Sequence, residues 1–313
     1  MSDSAAIVSD KQLGDVLLLQ PSAAYLASQT GTPTALFVRD AFRPLIELMP
    51  DCQWGPDAGK KFSSIWTTSW SSRAVWQAFK LRTRQRRLIV NKPRHIRWWY
   101  RLLFHEIRLE PPSAEYWARY FWRAVSGLPG EQFMPPRLLS PPESWRHSQA
   151  PQEPYILINP TAAWSRKFWS EPQWAEALSE MSNKTALPIV IAGGGSEREK
   201  NHCLTIMQGA AVPTLNLAGQ TSMQQYLHLL ARARVVVCID GAASHLAQAF
   251  GLPTVTLFGP THEGKWHWPT PRNAVLAARD FNGTNQPGPT SAIPVEAVLK
   301  SFDAVRQTSQ TAV

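Results

Sequence analysis

Along the second half of the chain, short apolar runs alternate with segments of helical period. The runs are YILI (155–158), PIVIA (188–192), VVVCI (235–239) and PTVTLF (253–258). Between and after them, apolar positions recur every three to four residues at about 172–183, 196–208, 222–233 and 243–250. Nearly continuous apolar runs of this length mark strands buried on both faces, and their alternation with helices makes βαβ units with a parallel sheet. The pattern predicts a doubly wound, Rossmann-like domain. The first half carries a noisier version. AAIV (5–8) reads as a first strand, followed by the turn SDKQLGD and a helix from about Val16 to Ser28. TALFV (34–38) reads as a second strand and LIV (88–90) as a later one, which predicts another α/β domain. Between the halves, SPPESWRHSQAPQEP (140–154) is rich in proline and polar residues without periodicity, and reads as an interdomain linker. A last helix is expected at about Pro294 to Val305, then a polar end. The expected divisions are 1–148, 149–285 and 286–313.

Composition narrows the class. The 313 residues give room for two domains, and 44% apolar against 18% charged residues excludes wholesale disorder. Cys52, Cys203 and Cys238 are odd in number and far apart, without a CxxC pair. A disulfide framework or zinc site is therefore not expected, and a reducing compartment is. The start, MSDSAAIVSDKQ, lacks the basic-then-apolar order of a signal peptide, and no apolar run approaches the ~18 residues of a membrane span. The net charge of +9 is concentrated: from Arg73 to Arg108 eleven Lys and Arg stand against one acid, Glu106. Trp76, Phe79, Trp98, Trp99, Tyr100 and Phe104 interleave with them. Such a stretch meets nucleic acid, a membrane surface or an acidic substrate, or is a solvated face whose tryptophans serve the core. No RNP, KH or helix-turn-helix pattern supports nucleic acid.

In an open parallel sheet, ligands bind beyond the carboxyl ends of the strands. Three loops of the second half fall there. Asp240 closes VVVCI, and GAAS (241–244) turns into a helix whose first N–H groups and dipole favour phosphate. Lys167 follows YILINP in NPTAAWSRKFW. AGGGSERE (192–199) follows PIVIA: its glycines allow close backbone approach, and Glu197 or Glu199 is placed to accept from ribose hydroxyls. A cation, an acid and a helix start on one edge suit a nucleoside diphosphate. Each also has a plainer reading: a glycine turn, a solvated lysine, and for His245 an early helical residue satisfied by a carbonyl rather than a donor to phosphate or sugar. Neither a Walker A sequence nor GxGxxG is present. In the first half, Gly14 allows a tight turn and Asp15 sits at or near a helix start. It is either an N-cap or a general base kept ionised by the helix N-terminus. No DxD occurs, so no obligatory metal is expected.

The ordered elements LGDVLL, NPTAAWSRKFWSEPQWAEAL, GGGSERE and GQTSMQQYLHLLARARVVVCIDGAASHLAQAFGLPTVTLFGPT resemble glycosyltransferase family 9, the ADP-heptose:lipopolysaccharide heptosyltransferases. The resemblance covers nearly the whole chain and is densest from Ile156 to Trp266. It implies the GT-B architecture, an acceptor-binding domain (1–148) and a nucleotide-sugar-binding domain (149–285), both Rossmann-like, across a cleft. The last helix (286–313) would pack back on the first domain. It also implies inverting transfer of a heptose from ADP-heptose to a lipopolysaccharide inner-core acceptor. Asp15 would be the catalytic base, Lys167 would neutralise the diphosphate, and Glu197 would hold the ribose. Gln220, Thr221 and Ser222 would flank the adenine, and Asp240 would contact the donor sugar. Thr161, Gly241, Ala242 and His245 would line the phosphates. No cofactor beyond the ADP-sugar donor is implied, and a monomer is. The implied setting is cytoplasmic and peripheral on the inner face of the inner membrane. There Arg82, Arg84, Arg86, Arg87, Lys92, Arg94, Arg97 and Arg101 would meet an anionic glycolipid acceptor or the membrane surface.

Three departures bear on the donor. Lys11-Gln12-Leu13 stand where the family usually carries Ser or Thr before Gly-Asp. Gly241-Ala242 replace the usual hydroxyl residue and glycine, and Ala162 and Ala163 stand where hydroxyls often contact phosphate. They motivate a member using another nucleotide sugar or glycan acceptor. A non-catalytic sugar-nucleotide or glycolipid binding module is a further alternative, against which the retention of both Asp15 and Lys167 argues.

Overall fold

The computed structural model describes residues 4–55, 59–109 and 115–308. The chain forms two compact units, Met1–Leu139 and Ser140–Val313. The strands of the first unit are β1 (Ala5–Val8), β2 (Thr34–Phe37), β3 (Cys52–Trp54), β4 (Lys61–Phe62), β5 (Ser64–Thr67), β6 (Arg82–Thr83), β7 (Arg86–Val90) and β8 (Glu106–Leu109). Its helices are α1 (Leu13–Leu17), α2 (Gln20–Thr30), α3 (Arg43–Leu48), α4 (Ser72–Lys80), α5 (Tyr100–Leu103) and α6 (Trp117–Ser126). The main sheet runs β3-β2-β1-β5-β7-β8, all parallel, with β4 and β6 forming a separate pair.

The second unit has β9 (Ile156–Asn159), β10 (Ile189–Ile191), β11 (Thr214–Asn216), β12 (Val235–Ile239), β13 (Thr254–Phe258) and β14 (Asn273–Ala277). They alternate with α7 (Glu171–Lys184), α8 (Glu197–Gly209), α9 (Met223–Ala231), α10 (Ala242–Ala249), α11 (Glu263–Trp266) and α12 (Val295–Thr308). The sheet order is β11-β10-β9-β12-β13-β14, again all parallel. Counted along each sheet, both orders are 3-2-1-4-5-6, the doubly wound arrangement. The order reverses between the first and fourth strands, β1/β5 in one unit and β9/β12 in the other. The crevice beyond those strand ends is where the topology itself opens a binding site.

Burial explains why the second sheet is so legible. Every residue of β9, β12 and β13 is buried. Alternate side chains serve opposite faces: Ile156, Ile158, Val235 and Val237 join α7, α8 and α12 in one core, while Leu157 and Val236 are buried on the other face. Helix starts are written locally. Ser196 and Glu199 form a capping box on α8, as do Ser222 and Gln225 on α9.

Four differences from the sequence expectation have local causes. The helix expected over 16–28 is two helices, because Pro21 lacks an N–H and fits only the first turn of α2. Segment 140–154 does not hang free: Glu143 accepts from His228 at 3.3 Å and pairs with Arg232, so it docks on α9. β11 and β14 are the edge strands: β11 is three half-buried residues, TLN, without an apolar run, and β14, NAVLA, is half-buried except for Ala277, so its short apolar run lacks the burial of a central strand. The last helix, expected to pack on the first domain, buries Val298, Phe302 and Val305 in the core of the second unit and contacts α7, β13 and β14.

Candidate functional site

The loop after β9 is anchored by its tryptophans. Trp169 and Trp174 are fully buried, edge to face at 5.0 Å, and Trp169 Nε1 donates to the Ile293 carbonyl at 3.0 Å. Between strand and anchor the chain must arch over the sheet edge, and that arch carries Lys167. Its carbonyl accepts from Thr290 Oγ1 at 2.9 Å, which holds the backbone of the arch. Lys167 Nζ donates to Asp240 Oδ2 at 2.6 Å. Asp240 directly follows β12, is 2% exposed, and accepts a second hydrogen bond from Thr261 Oγ1 at 2.5 Å. Lys167 and Asp240 thus meet at the β9/β12 reversal point.

α10 starts at the same place. Gly241 is its N-cap residue and no side chain caps the helix, so the first-turn N–H groups are offered to whatever lies beyond the strand end. Two of the sequence departures prove to be one packing arrangement. A Cβ on residue 241 would lie 3.3 Å from the Ala162 Cβ, so Gly241 and Ala162 let the two loops close on each other without hydroxyls. Thr161 is buried and accepts from the Gly194 N–H at 3.4 Å, tying the loop after β9 to the glycine loop after β10. A Cβ on Gly193 would stand 2.8 Å from Thr161 Oγ1, so this glycine lets the two loops pack closely on each other.

The other expected donor residues separate into two groups. Glu199 is consumed by the α8 capping box, whereas Glu197 projects from the first turn, 80% exposed, in an ion pair with Lys200. Thr221 is half-buried just ahead of α9, and Ser222 is the cap of that helix. Its hydroxyl oxygen accepts from the Gln225 N–H at 3.2 Å. His245 is buried in the first turns of α10, with its ring centroid 6.1 Å from that of Trp266. Beside it, burial and then the His245 charge push His267 down to about 4. Sequence reading did not assign Thr261, Thr290 or Asn159. Asn159 is buried at the end of β9 and donates to the Tyr226 hydroxyl at 2.9 Å. The Phe-Gly-Pro-Thr turn after β13 was the available signal for Thr261; Thr290 has none.

In the first unit, the loops beyond β1 and β5 are stitched at that sheet's reversal point. Ser9 and Ser69 hydroxyls lie 3.3 Å apart, the Asp10 N–H donates to Ser69 Oγ at 3.2 Å, and Ser71 Oγ donates to the Asp10 carboxylate. Asp15 is the third residue of α1 and half-buried; Gln12 is the N-cap, so the capping reading of Asp15 falls away. Of the expected basic residues, two are committed within the fold. Arg86 donates to the carbonyls of Ala78, Phe79 and Leu81 at the end of α4, and Arg87 pairs with Glu106 at 2.8 Å. Arg82, Arg84, Lys92, Arg94, Arg97 and Arg101 are exposed. Among the described residues, no group of three or more His, Cys, Asp or Glu is placed to hold a metal ion, and no helix is long and apolar enough to cross a membrane.

Two 3-2-1-4-5-6 sheets, with a lysine–carboxylate pair and an uncapped helix start at one reversal point, define an α/β protein of the Rossmann type. The chain belongs to glycosyltransferase family 9 (heptosyltransferase), whose model matches residues 69–288. It is 34% identical over 116 residues to lipopolysaccharide heptosyltransferase 1 of Pseudomonas aeruginosa, covering 36% of this chain and 31% of that protein. It is 25% identical over 188 residues to lipopolysaccharide heptosyltransferase 3 of Escherichia coli, covering 55% of this chain and 54% of the relative. The matches thus span about a third and about half of these relatives. The structure of E. coli ADP-heptose lipopolysaccharide heptosyltransferase II superposes with a TM-score of 0.81 at 18% identity, over 98% of this chain and all of that one. The fold is that of the heptosyltransferases, GT-B.

Proposed function

We propose that this chain is an inverting glycosyltransferase that moves a heptose from ADP-heptose to a lipopolysaccharide inner-core acceptor. The observation that carries the reading is the Lys167–Asp240 pair beside the start of α10, in a chain of this family. The diphosphate lies against Lys167 and the α10 N–H groups, which stabilise the negative charge that grows as the sugar–phosphate bond breaks. Asp240 accepts from a hydroxyl of the donor sugar, and Glu197 from the ribose. Asp15 takes the proton of the acceptor hydroxyl while that oxygen attacks the anomeric carbon; the bonding pair leaves with ADP, and the configuration inverts. The Ala162–Gly241 packing supports a second reading, a different nucleotide sugar, because two hydroxyls that would meet phosphate are missing together.

Titration calorimetry with ADP, ADP-heptose, UDP and UDP-glucose separates the two. Selective ADP and ADP-heptose binding, weakened in Lys167→Ala, supports the first; preference for UDP ligands overturns the donor. With an acceptor in hand, Asp15→Asn loses at least ~100-fold in transfer rate without losing ADP affinity. Equal loss of both would assign Asp15 to binding instead.

A further inference from the structure

We propose that His95 is a further substrate-binding residue of the first unit, and that its Nε2 accepts a hydrogen bond from a hydroxyl of the glycan acceptor. The inference rests on the transferase reading above and adds to it a group that orients the acceptor while Asp15 takes the proton. Three loops beyond the strand ends of the first sheet converge on this side chain: Lys11 lies in the loop after β1, Trp70 in the loop after β5, and Asn91 directly follows β7. The His95 ring stacks on that of Trp70, with centroids 4.2 Å apart and planes 6° from parallel. Lys11 Nζ stands 4.6 Å from the Trp70 centroid. The stack has a fixed base, because the hydroxyl of the buried Tyr100 donates to the Trp70 carbonyl at 2.7 Å. His95 itself closes a single 3₁₀ turn, Pro93–His95, and its N–H donates to the Lys92 carbonyl at 3.0 Å.

The two ring nitrogens have different surroundings. Nδ1 lies 2.9 Å from Asn91 Oδ1, an oxygen that only accepts, so Nδ1 carries the proton. Burial, and then the charges of Arg94, Lys92 and Lys11, hold the pKa of the ring below the ordinary histidine value. Asp10, the acid of the Lys11 loop, accepts from Ser71. At pH 7 the ring is therefore neutral, and Nε2 keeps a lone pair without a hydrogen-bond partner among the described residues. A phenyl ring would stack on Trp70 as well. What imidazole adds is one acceptor atom, aimed by the clamp on the other nitrogen. Lys11, Lys92 and Arg94 around it can only donate. A sugar hydroxyl both donates and accepts, so it can use Nε2 and a neighbouring cation together. The half-buried position of His95, Trp70 and Lys11 leaves that atom within reach of a ligand at the sheet edge where the topology opens its crevice.

The probe is a deacylated inner-core saccharide lacking heptose, titrated into protein carrying isotope-labelled histidine. The Nε2 resonance of His95, assigned by its absence in His95→Gln, is expected to move as saccharide is added, while Nδ1 stays. In transfer assays at saturating ADP-heptose, His95→Phe keeps the stack and loses ~tenfold or more in kcat/KM for the saccharide. ADP affinity and the thermal melt stay unchanged. His95→Gln, which puts an acceptor where Nε2 stood, regains most of the loss. Protonation turns Nε2 from acceptor to donor, so wild-type kcat/KM falls as pH drops through the lowered histidine pKa, and the Phe variant lacks that limb. Saccharide binding that leaves the His95 resonance in place, or wild-type transfer by His95→Phe, overturns the proposal and leaves the transferase reading standing. A saccharide-dependent shift of His95 without transfer from any sugar nucleotide supports the binding residue and counts against the transferase reading. Absence of saccharide binding overturns both.

Discussion

The Lys167–Asp240 pair makes a quantitative prediction about the second unit before any substrate is added. The two charged atoms are 2.6 Å apart, with side chains 16% and 2% exposed. At an effective dielectric near 20 the attraction is about 6 kcal/mol, and desolvation of the two groups offsets several of these. The pair is therefore worth little as a whole, but removing one member is costly. Lys167→Ala leaves a buried carboxylate whose remaining partner is Thr261, and such truncations cost about 3–5 kcal/mol. Water reaching the vacated side places this case near ~3 kcal/mol, or a fall of roughly 6–12 °C in the melting of a unit of this size. Asp240→Asn, which strands the lysine but keeps an acceptor for Thr261, costs roughly 2–3 kcal/mol. The double variant then loses less than the sum, with a coupling energy of about 2 kcal/mol. Urea unfolding at pH 7 without nucleotide reads all three, followed on the transition that ADP shifts. Additive losses, with coupling below ~0.5 kcal/mol, would refute the view that the two charges hold each other in the empty site.

Three further outcomes follow from the geometry. Gly259→Ala would place a Cβ against Thr290, 2.0 Å from its hydroxyl and 3.0 Å from its backbone nitrogen, displacing the group that holds the Lys167 carbonyl. A loss of about 1–3 kcal/mol in urea and weaker ADP binding are expected; unchanged values for both would break the link. His267 sits near 4 in the folded state against about 6.5 when unfolded, so the unfolded chain binds the extra proton between those values. Stability is then complete above about pH 6.5 and falls as pH drops towards 4, by up to ~3 kcal/mol from this group. His267→Asn, which keeps an acceptor for Gln248, should flatten that slope in urea titrations; an identical slope refutes the assignment. Ser222→Ala removes the cap of α9 and costs about 1 kcal/mol in stability. Its ADP affinity should change by less than about twofold; a larger loss would show that Ser222 also meets the nucleotide.

The two halves differ in how much of their fold the chain declares. β9, β12 and β13 are central strands covered on both faces, so burial alone makes them continuous apolar runs. β7 and β8 obey the same topology but begin RR and contain EIR, because Arg87 and Arg108 lie over the Trp66 ring and pair with Glu106. Cations that cover an aromatic ring look like surface in a sequence. The site divides likewise. Lys167 and Asp240 were legible because each follows a clear strand at the ligand-binding edge. The two meanings of Asp15 became separable only when the backbone showed Gln12 at the cap. Thr290 was invisible because its role depends on a partner 123 residues earlier, and no local pattern records such a contact.

That separation has a consequence for biosynthesis. The arch bearing Lys167 is fixed by Thr290 and by the Ile293 carbonyl, both of which leave the ribosome long after the strand they serve. A nascent chain already holding β9, β10, β12 and β13 therefore has its lysine on a loop not yet held by those two contacts. The two contacts that fix the arch therefore form only after residues 290–293 have been synthesised. A chain ending just before residue 290 would hold all six strands of the second sheet yet lack the Thr290 and Ile293 contacts that fix the arch.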